Sequence, residues 1–190
     1  MSPRILPRPD EDLDDAGREL VALALQPGAP PAVNLTRTMV WNPGILRRWL
    51  PYGGKLLAGG KLPVRVREIV ILKVGFALRS DYEWSQHVPI SLAAGLSKTE
   101  IWALAGDGSA EWSETEQAVI DAVDELRAAG KIADRTWSVL RRHFSEAQLV
   151  ELPLLAGAYT GLAYLLNSFE VEVEPSLEGI PDELRAQVRS

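Results

Sequence analysis

Cysteine is absent from the 190-residue chain. Without a thiol there is no disulfide, no thiolate metal ligand and no thiol-based redox cycle. Histidine is nearly absent: the chain holds only His87 and His143. Histidine is the usual general acid or base near neutral pH, so chemistry of that kind is confined to two positions. Basic blocks are missing too. The formal charge is −6, and no Lys/Arg run is longer than Arg47-Arg48 or Arg141-Arg142. The concentrated cationic surface that nucleic-acid binding needs is therefore not expected. No apolar run of about 18 residues is read along the chain, so no membrane span is expected. The opening Met1-Ser2-Pro3-Arg4-Ile5-Leu6-Pro7 lacks the apolar segment of a secretory signal, and the cytoplasm is the expected location.

What is present is ordinary for a globular protein: 46% apolar and 24% charged residues, enough chain to bury its own core. Gly53-Gly54-Lys55 and Gly59-Gly60-Lys61 tempt a phosphate-loop reading. Such a loop needs a glycine five positions before the Gly of Gly-Lys, and Trp49 and Lys55 stand there instead. The segment reads as a glycine-hinged connection. Residues 62–79 are the most apolar stretch. Their β-branched residues favour a strand, but eighteen residues without a turn signal exceed a usual strand of about 5–6, so a buried helix is expected.

Helix-start signals recur downstream. Ser80-x-x-Glu83, Ser97-x-x-Glu100, Ser113-x-x-Glu116 and Ser145-x-x-Gln148 each match a capping box. Helices are expected at about 14–25, in two short pieces over 34–50 meeting at Asn42-Pro43-Gly44, and at about 62–79, 81–94, 98–105, 114–129, 134–143 and 146–169. Gln26 to Pro31 reads as a loop, and one more short helix is expected in the tail. Strand signals are absent, and short loops between helices imply an all-α bundle. The chain reads as a single domain over 1–190. It comprises a flexible arm (1–12), an N-terminal helical extension (13–60), a core (61–170) and a tail (171–190).

Candidate chemistry gathers at His87. Glu83 lies four residues before it, on the same helix face, and can orient the imidazole. Alternatively Glu83 is only the third residue of its capping box. Glu68 lies in the preceding apolar helix, where an unpaired charge would be costly. Tyr82, Trp84 and Gln86 surround the pair. Pro89 interrupts the same helix, which strains it beside the one candidate acid/base. His143 follows two arginines at a helix C-terminus and reads as a dipole partner.

Three stretches carry a resemblance: Leu62-Pro-x-Arg65-x-Arg67-Glu68, then Asp81-Tyr82-Glu83-Trp84-Ser-Gln-His87, then Ala94-Gly95-Leu96-Ser97-x-x-Glu100-Ile101. Together they resemble the carboxymuconolactone decarboxylase family, within the alkylhydroperoxidase D-like superfamily. The superfamily's peroxidases carry a Glu nineteen residues before a His, and two cysteines between them. Here Glu68 and His87 have that separation, while Ser80 and Glu83 occupy the cysteine positions. The resemblance implies an alkylhydroperoxidase D-like helical bundle with an N-terminal extension, no cofactor, no metal, and a homo-oligomer (trimer or hexamer, or dimer).

The expected function is a cofactor-free lyase or isomerase acting on a small lactone or carbonyl acid. His87 would transfer the proton, Glu83 would orient it or serve as second acid, and Glu68 would hold or relay a proton. Arg65 or Arg67 would receive the substrate carboxylate, and Tyr82, Trp84 and Trp41 would be walls. Two alternatives stand beside it: a metal site made of Glu68, Glu83 and His87, and a ligand-binding or scaffold protein without catalysis. One outcome follows from the missing thiols. The purified protein will not consume organic hydroperoxides above the uncatalysed rate with a dithiol reductant present, as followed by peroxide loss.

Overall fold

The computed structural model describes residues 2–24, 33–107 and 110–187. Among the described residues the regular structure is helical, with no strand. The helices are α1 (Asp15–Leu23), α2 (Val33–Met39), α3 (Pro43–Ala58), α4 (Val64–Ala77), α5 (Asp81–Ala93), α6 (Lys98–Trp102), α7 (Glu114–Ala129), α8 (Asp134–His143), α9 (Glu146–Phe169) and α10 (Asp182–Gln187). A single 3-10 turn (Asp10–Asp12) precedes α1, and a π turn (Ala103–Asp107) follows α6. The loop expected over 26–31 lies outside the described residues, as does the end of the tail at 188–190.

Helix α4 is the axis of the bundle. Ile69, Val70, Ile71, Leu72 and Val74 have no exposed surface. A run that is apolar on all sides has no face to offer water, so it must be enclosed. Enclosure by α5, α7 and α9 overrides the strand preference of its β-branched residues. Contacts within the one chain supply this enclosure.

Helix α9 presses Leu152, Leu155, Tyr159, Leu162 and Leu166 into this core. It also corrects an expectation. With 24 residues it is long and apolar enough, by length and composition, to cross a membrane, although its inward stripe is part of the core.

Helix α3 departs from the sequence reading as well. It continues through Pro51, Gly53 and Gly54 as far as Ala58, so the glycine connection shrinks to the few residues around Gly59 and Gly60. Gly60 makes room for a close approach. A Cβ there would lie 2.2 Å from Glu151 Oε1, because Glu151 of α9 reaches in to accept the Lys61 and Leu62 backbone N–H groups.

The turn from α4 to α5 sets the site. Arg79 adopts the left-handed region at φ 54°. Its N–H donates to Phe76 O and the Ser80 N–H to Gly75 O, at 2.9 and 2.8 Å, a Schellman closure that reverses the chain within three residues. It also explains why one expected capping box fails. In such a box Glu83 would accept the Ser80 N–H, but Gly75 O already holds it. Ser80 makes no side-chain cap, and Glu83 is free to turn inward. The other three boxes, at Ser97, Ser113 and Ser145, form as expected.

Both ends of the chain are fastened to the bundle. The segment expected as a flexible arm donates from Arg4 N–H to Phe169 O and from Arg8 N–H to Arg37 O, at 2.9 and 3.0 Å. In the tail, buried Glu174 accepts from the Asn34 N–H and the Tyr82 hydroxyl, each at 2.8 Å. Asp81 accepts the Ile180 N–H and pairs with Arg185.

The centrality of the α4–α9 contact can be tested. Leu155→Ala, at a position with no exposed surface, should cost about 2–5 kcal/mol in urea unfolding. Val150→Ala on the exposed side of the same helix should change stability by no more than about 0.5 kcal/mol.

Candidate active site

Glu68 is completely buried on α4, in surroundings where an uncompensated carboxylate would be very costly. Two partners compensate it. His87 Nδ1, from α5, lies 2.8 Å from Oε2, and Arg67 Nε donates to Oε1 at 2.7 Å. Burial pushes the Glu68 carboxyl up. The charges and hydrogen bonds of His87 and Arg67 outweigh it and hold the group below its ordinary value. An ionised Glu68 accepts, so Nδ1 donates. This assigns the tautomer of a neutral His87 and leaves Nε2 with its lone pair available. No hydrogen bond to Nε2 occurs among the described residues.

Beside this pair opens a cavity of about 390 Å³, lined by residues of α1, α2, α3, α5 and α9, with Arg67 from α4. His87, Glu83, Tyr82, Gln86 and Tyr159 face it as polar groups among leucines, Met39 and Trp49. Pro89 lines it too.

Glu83 is 2% exposed, and neither carboxylate oxygen has a partner. Burial pushes its carboxyl well above the ordinary value, which keeps it protonated where a normal glutamate would ionise. Tyr159, from α9, meets His87 edge to face, with ring centroids 5.1 Å apart. Burial pushes its hydroxyl up, and the nearby charge of Glu68 adds to this, so it remains a neutral O–H.

The structure brings together four of the residues marked from sequence around one cavity: His87, Glu83, Arg67 and Tyr82. Glu68 lies directly behind His87. The roles of the two carboxylates differ from the expected ones. Glu68, not Glu83, orients the imidazole, because α4 and α5 are antiparallel neighbours and Glu83 makes no bond to the ring. Tyr82 is a wall residue, but its hydroxyl is taken up by Glu174 and the Leu35 N–H.

Three expected substrate contacts are corrected. Arg65 faces away from the cavity, where Glu100, Glu116 and the Gly95 carbonyl occupy its guanidinium. Trp84 is buried in the core against Phe76, ring centroids 5.7 Å apart. Trp41 is 52% exposed, its indole N–H donates to Leu6 O, and Arg8 lies over its ring. The alternative of a metal site from Glu68, Glu83 and His87 also fails on geometry. No metal-holding cluster of three such groups occurs among the described residues, and both oxygens of Glu68 are committed to His87 and Arg67. His143 ends α8 beside Glu114, as a dipole partner would.

Sequence reasoning missed Tyr159 and the walls from α2 and α3. Tyr159 is one aromatic in a long apolar helix, and nothing in its neighbours separates a pocket tyrosine from a core one.

Comparison with known proteins agrees with this arrangement. The model of the carboxymuconolactone decarboxylase family matches residues 43–125. The likeness to that family lies in this segment, which is less than half of the chain. The solved structures it resembles are alkylhydroperoxidase D-like. An alkylhydroperoxidase D core protein described as peroxidase-related, from Ralstonia eutropha, superposes with a TM-score of 0.76 at 17% identity, covering 90% of this chain and 94% of that one. The debrominase Bmp8 gives 0.73 at 14% identity, with 97% and 95% covered. An Agrobacterium tumefaciens protein described as a putative antioxidant defence protein gives 0.63 at 20% identity, with 72% and 94% covered. At these identities the likeness is one of fold. No curated protein matches the chain by sequence. The chain itself has no cysteine.

The buried Glu83 carries a stability signature. Its pKa is raised on folding, so protonated native protein competes with an unfolded chain that ionises at the ordinary value. The penalty is absent below that value and grows as pH rises toward the folded pKa. Glu83→Gln should therefore raise the melting temperature at pH 7–8, by about 2–4 °C for each kcal/mol relieved. The gain should vanish below about pH 4, as measured by thermal melts across pH.

Proposed function

We propose that this protein is a cofactor-free acid–base enzyme, a lyase or isomerase, acting on a small lactone or other carbonyl compound. One observation carries the reading: an imidazole fixed by a buried carboxylate lines a cavity that also holds a buried, unpartnered carboxyl. Such a pair suits proton transfer in two directions at once.

In this scheme His87 Nε2 takes a proton from the carbon next to the carbonyl. Charge builds on the carbonyl oxygen, and Glu83 donates its proton there, giving a neutral enol. The imidazolium formed is stabilised by the Glu68 carboxylate 2.8 Å from Nδ1. Where the substrate carries a carbon–carbon double bond conjugated to that enol, the imidazolium then returns its proton to the far end of the dienol, and Glu83 recovers its own from the enol oxygen. Every proton is accounted for within the dyad and Glu83, and Arg67 fixes Glu68 in place.

A second reading is favoured by the predominance of apolar wall residues such as Leu46, Leu57 and Leu162: a ligand-binding member of the superfamily without catalysis.

Proton exchange separates the two readings without knowledge of the natural substrate. Small lactones and cyclic ketones incubated in deuterated buffer are followed by NMR at the carbon next to the carbonyl. The parent protein should accelerate exchange, and His87→Ala should lower the rate by about 10²–10⁴-fold. Glu68→Gln should lower it less. Equal exchange with parent and both variants defeats the enzymatic reading, and binding without exchange supports the second.

A further inference from the structure

We infer that the cavity selects an uncharged, largely apolar carbonyl compound, one without a carboxylate, and that Glu83 is the residue that recognises its carbonyl oxygen. The inference rests on the reading above that this cavity is where the substrate sits.

The argument starts from what a carboxylate would meet there. Arg67 is the one Lys or Arg among the described lining residues. Its charge is balanced by Glu68, with Nε at 2.7 Å from Oε1, and its Nη1 donates to the Leu57 carbonyl. Bidentate capture of a carboxylate needs two free donors along one edge of the guanidinium. On each edge of Arg67 that a carboxylate could approach, one nitrogen is already engaged. Arg65, the other guanidinium expected to take that role, is held outside the cavity by Glu100 and Glu116.

A second observation is independent of Arg67. Glu83 is 2% exposed, lines the same cavity and has no partner for either oxygen. A buried polar group without a partner is costly, and a ligand that supplies the partner recovers part of that cost. A neutral carboxyl offers one O–H donor, and a carbonyl oxygen is the matching acceptor. A ligand carboxylate would instead face a second buried carboxyl group in a space with no uncompensated cation. The rest of the wall, including Leu35, Met39, Leu46 and Trp49, is apolar and suits a hydrocarbon body.

This charge rule narrows the chemistry. Decarboxylation requires a carboxylate on the substrate. A neutral ketone, ester or lactone leaves a proton shift between carbons, which needs no co-reactant.

The test uses isosteric pairs that differ in charge: acetophenone against benzoate, and methyl cyclohexanecarboxylate against cyclohexanecarboxylate. Binding at pH 7 is measured by ligand-observed NMR titration of the full chain. The neutral member of each pair should bind at least tenfold more tightly. Glu83→Leu, which removes the donor, should weaken acetophenone binding about fivefold, and Glu83→Gln, which keeps a donor, should restore most of it. Carboxylates binding as tightly as their neutral partners, or Glu83→Leu leaving acetophenone binding unchanged, overturn the inference while leaving proton exchange by His87 intact. Failure of all four compounds to bind overturns the inference together with the reading it rests on.

Discussion

The Glu68 carboxylate is the constraint around which the site is arranged. It is a charge with no exposed surface, placed in the deeply buried central helix. Such a charge is tolerable only if both oxygens are answered. One answer comes from its own neighbour, Arg67, and the other from His87 on the next helix. The second is possible only because the Arg79 turn folds α5 directly back on α4. The polarity of the imidazole follows: with Nδ1 bound to the carboxylate, Nε2 is the nitrogen left for the cavity.

The two buried carboxylates then divide into opposite roles by environment alone. Glu68 has the Arg67 guanidinium on one side and the His87 Nδ1–H on the other, and is held ionised. Glu83 has no partner and is held neutral. Groups of one chemical type with their proton affinities pushed apart are how a protein places a fixed charge and a mobile proton a few residues from each other. In the superfamily's peroxidases, by resemblance, the position of Glu83 carries a thiol. Here a carboxyl stands at that position, on a helix pair that keeps the Glu–His separation.

The helical extension gives the cavity its remaining walls. Residues of α2 and α3 such as Met39, Leu46 and Trp49 line it together with the core helices. The tail fastens this arrangement, since Glu174 bonds both the start of α2 and the hydroxyl of Tyr82. Regions that read as appendages to a core therefore shape the site.

Sequence by itself determined the helical class and three of the four capping boxes, and singled out His87 and Glu68 as candidates. These rest on local rules or on scarcity: an apolar run too long for a strand, a serine three residues before an acid, two histidines in the whole chain. It also determined that no thiol chemistry occurs. Tertiary structure alone decided the rest. Whether Glu83 capped its helix or faced a cavity depended on a hydrogen bond from Ser80 to Gly75, which no local pattern encodes. Whether Arg65, Trp84 and Trp41 touched a ligand depended on which neighbours claimed them first: two glutamates, a phenylalanine and the N-terminal segment. Tyr159 joined the site from 72 positions beyond His87. Local pattern fixes what a residue can do, and the packing of distant helices fixes which of its possible partners it meets.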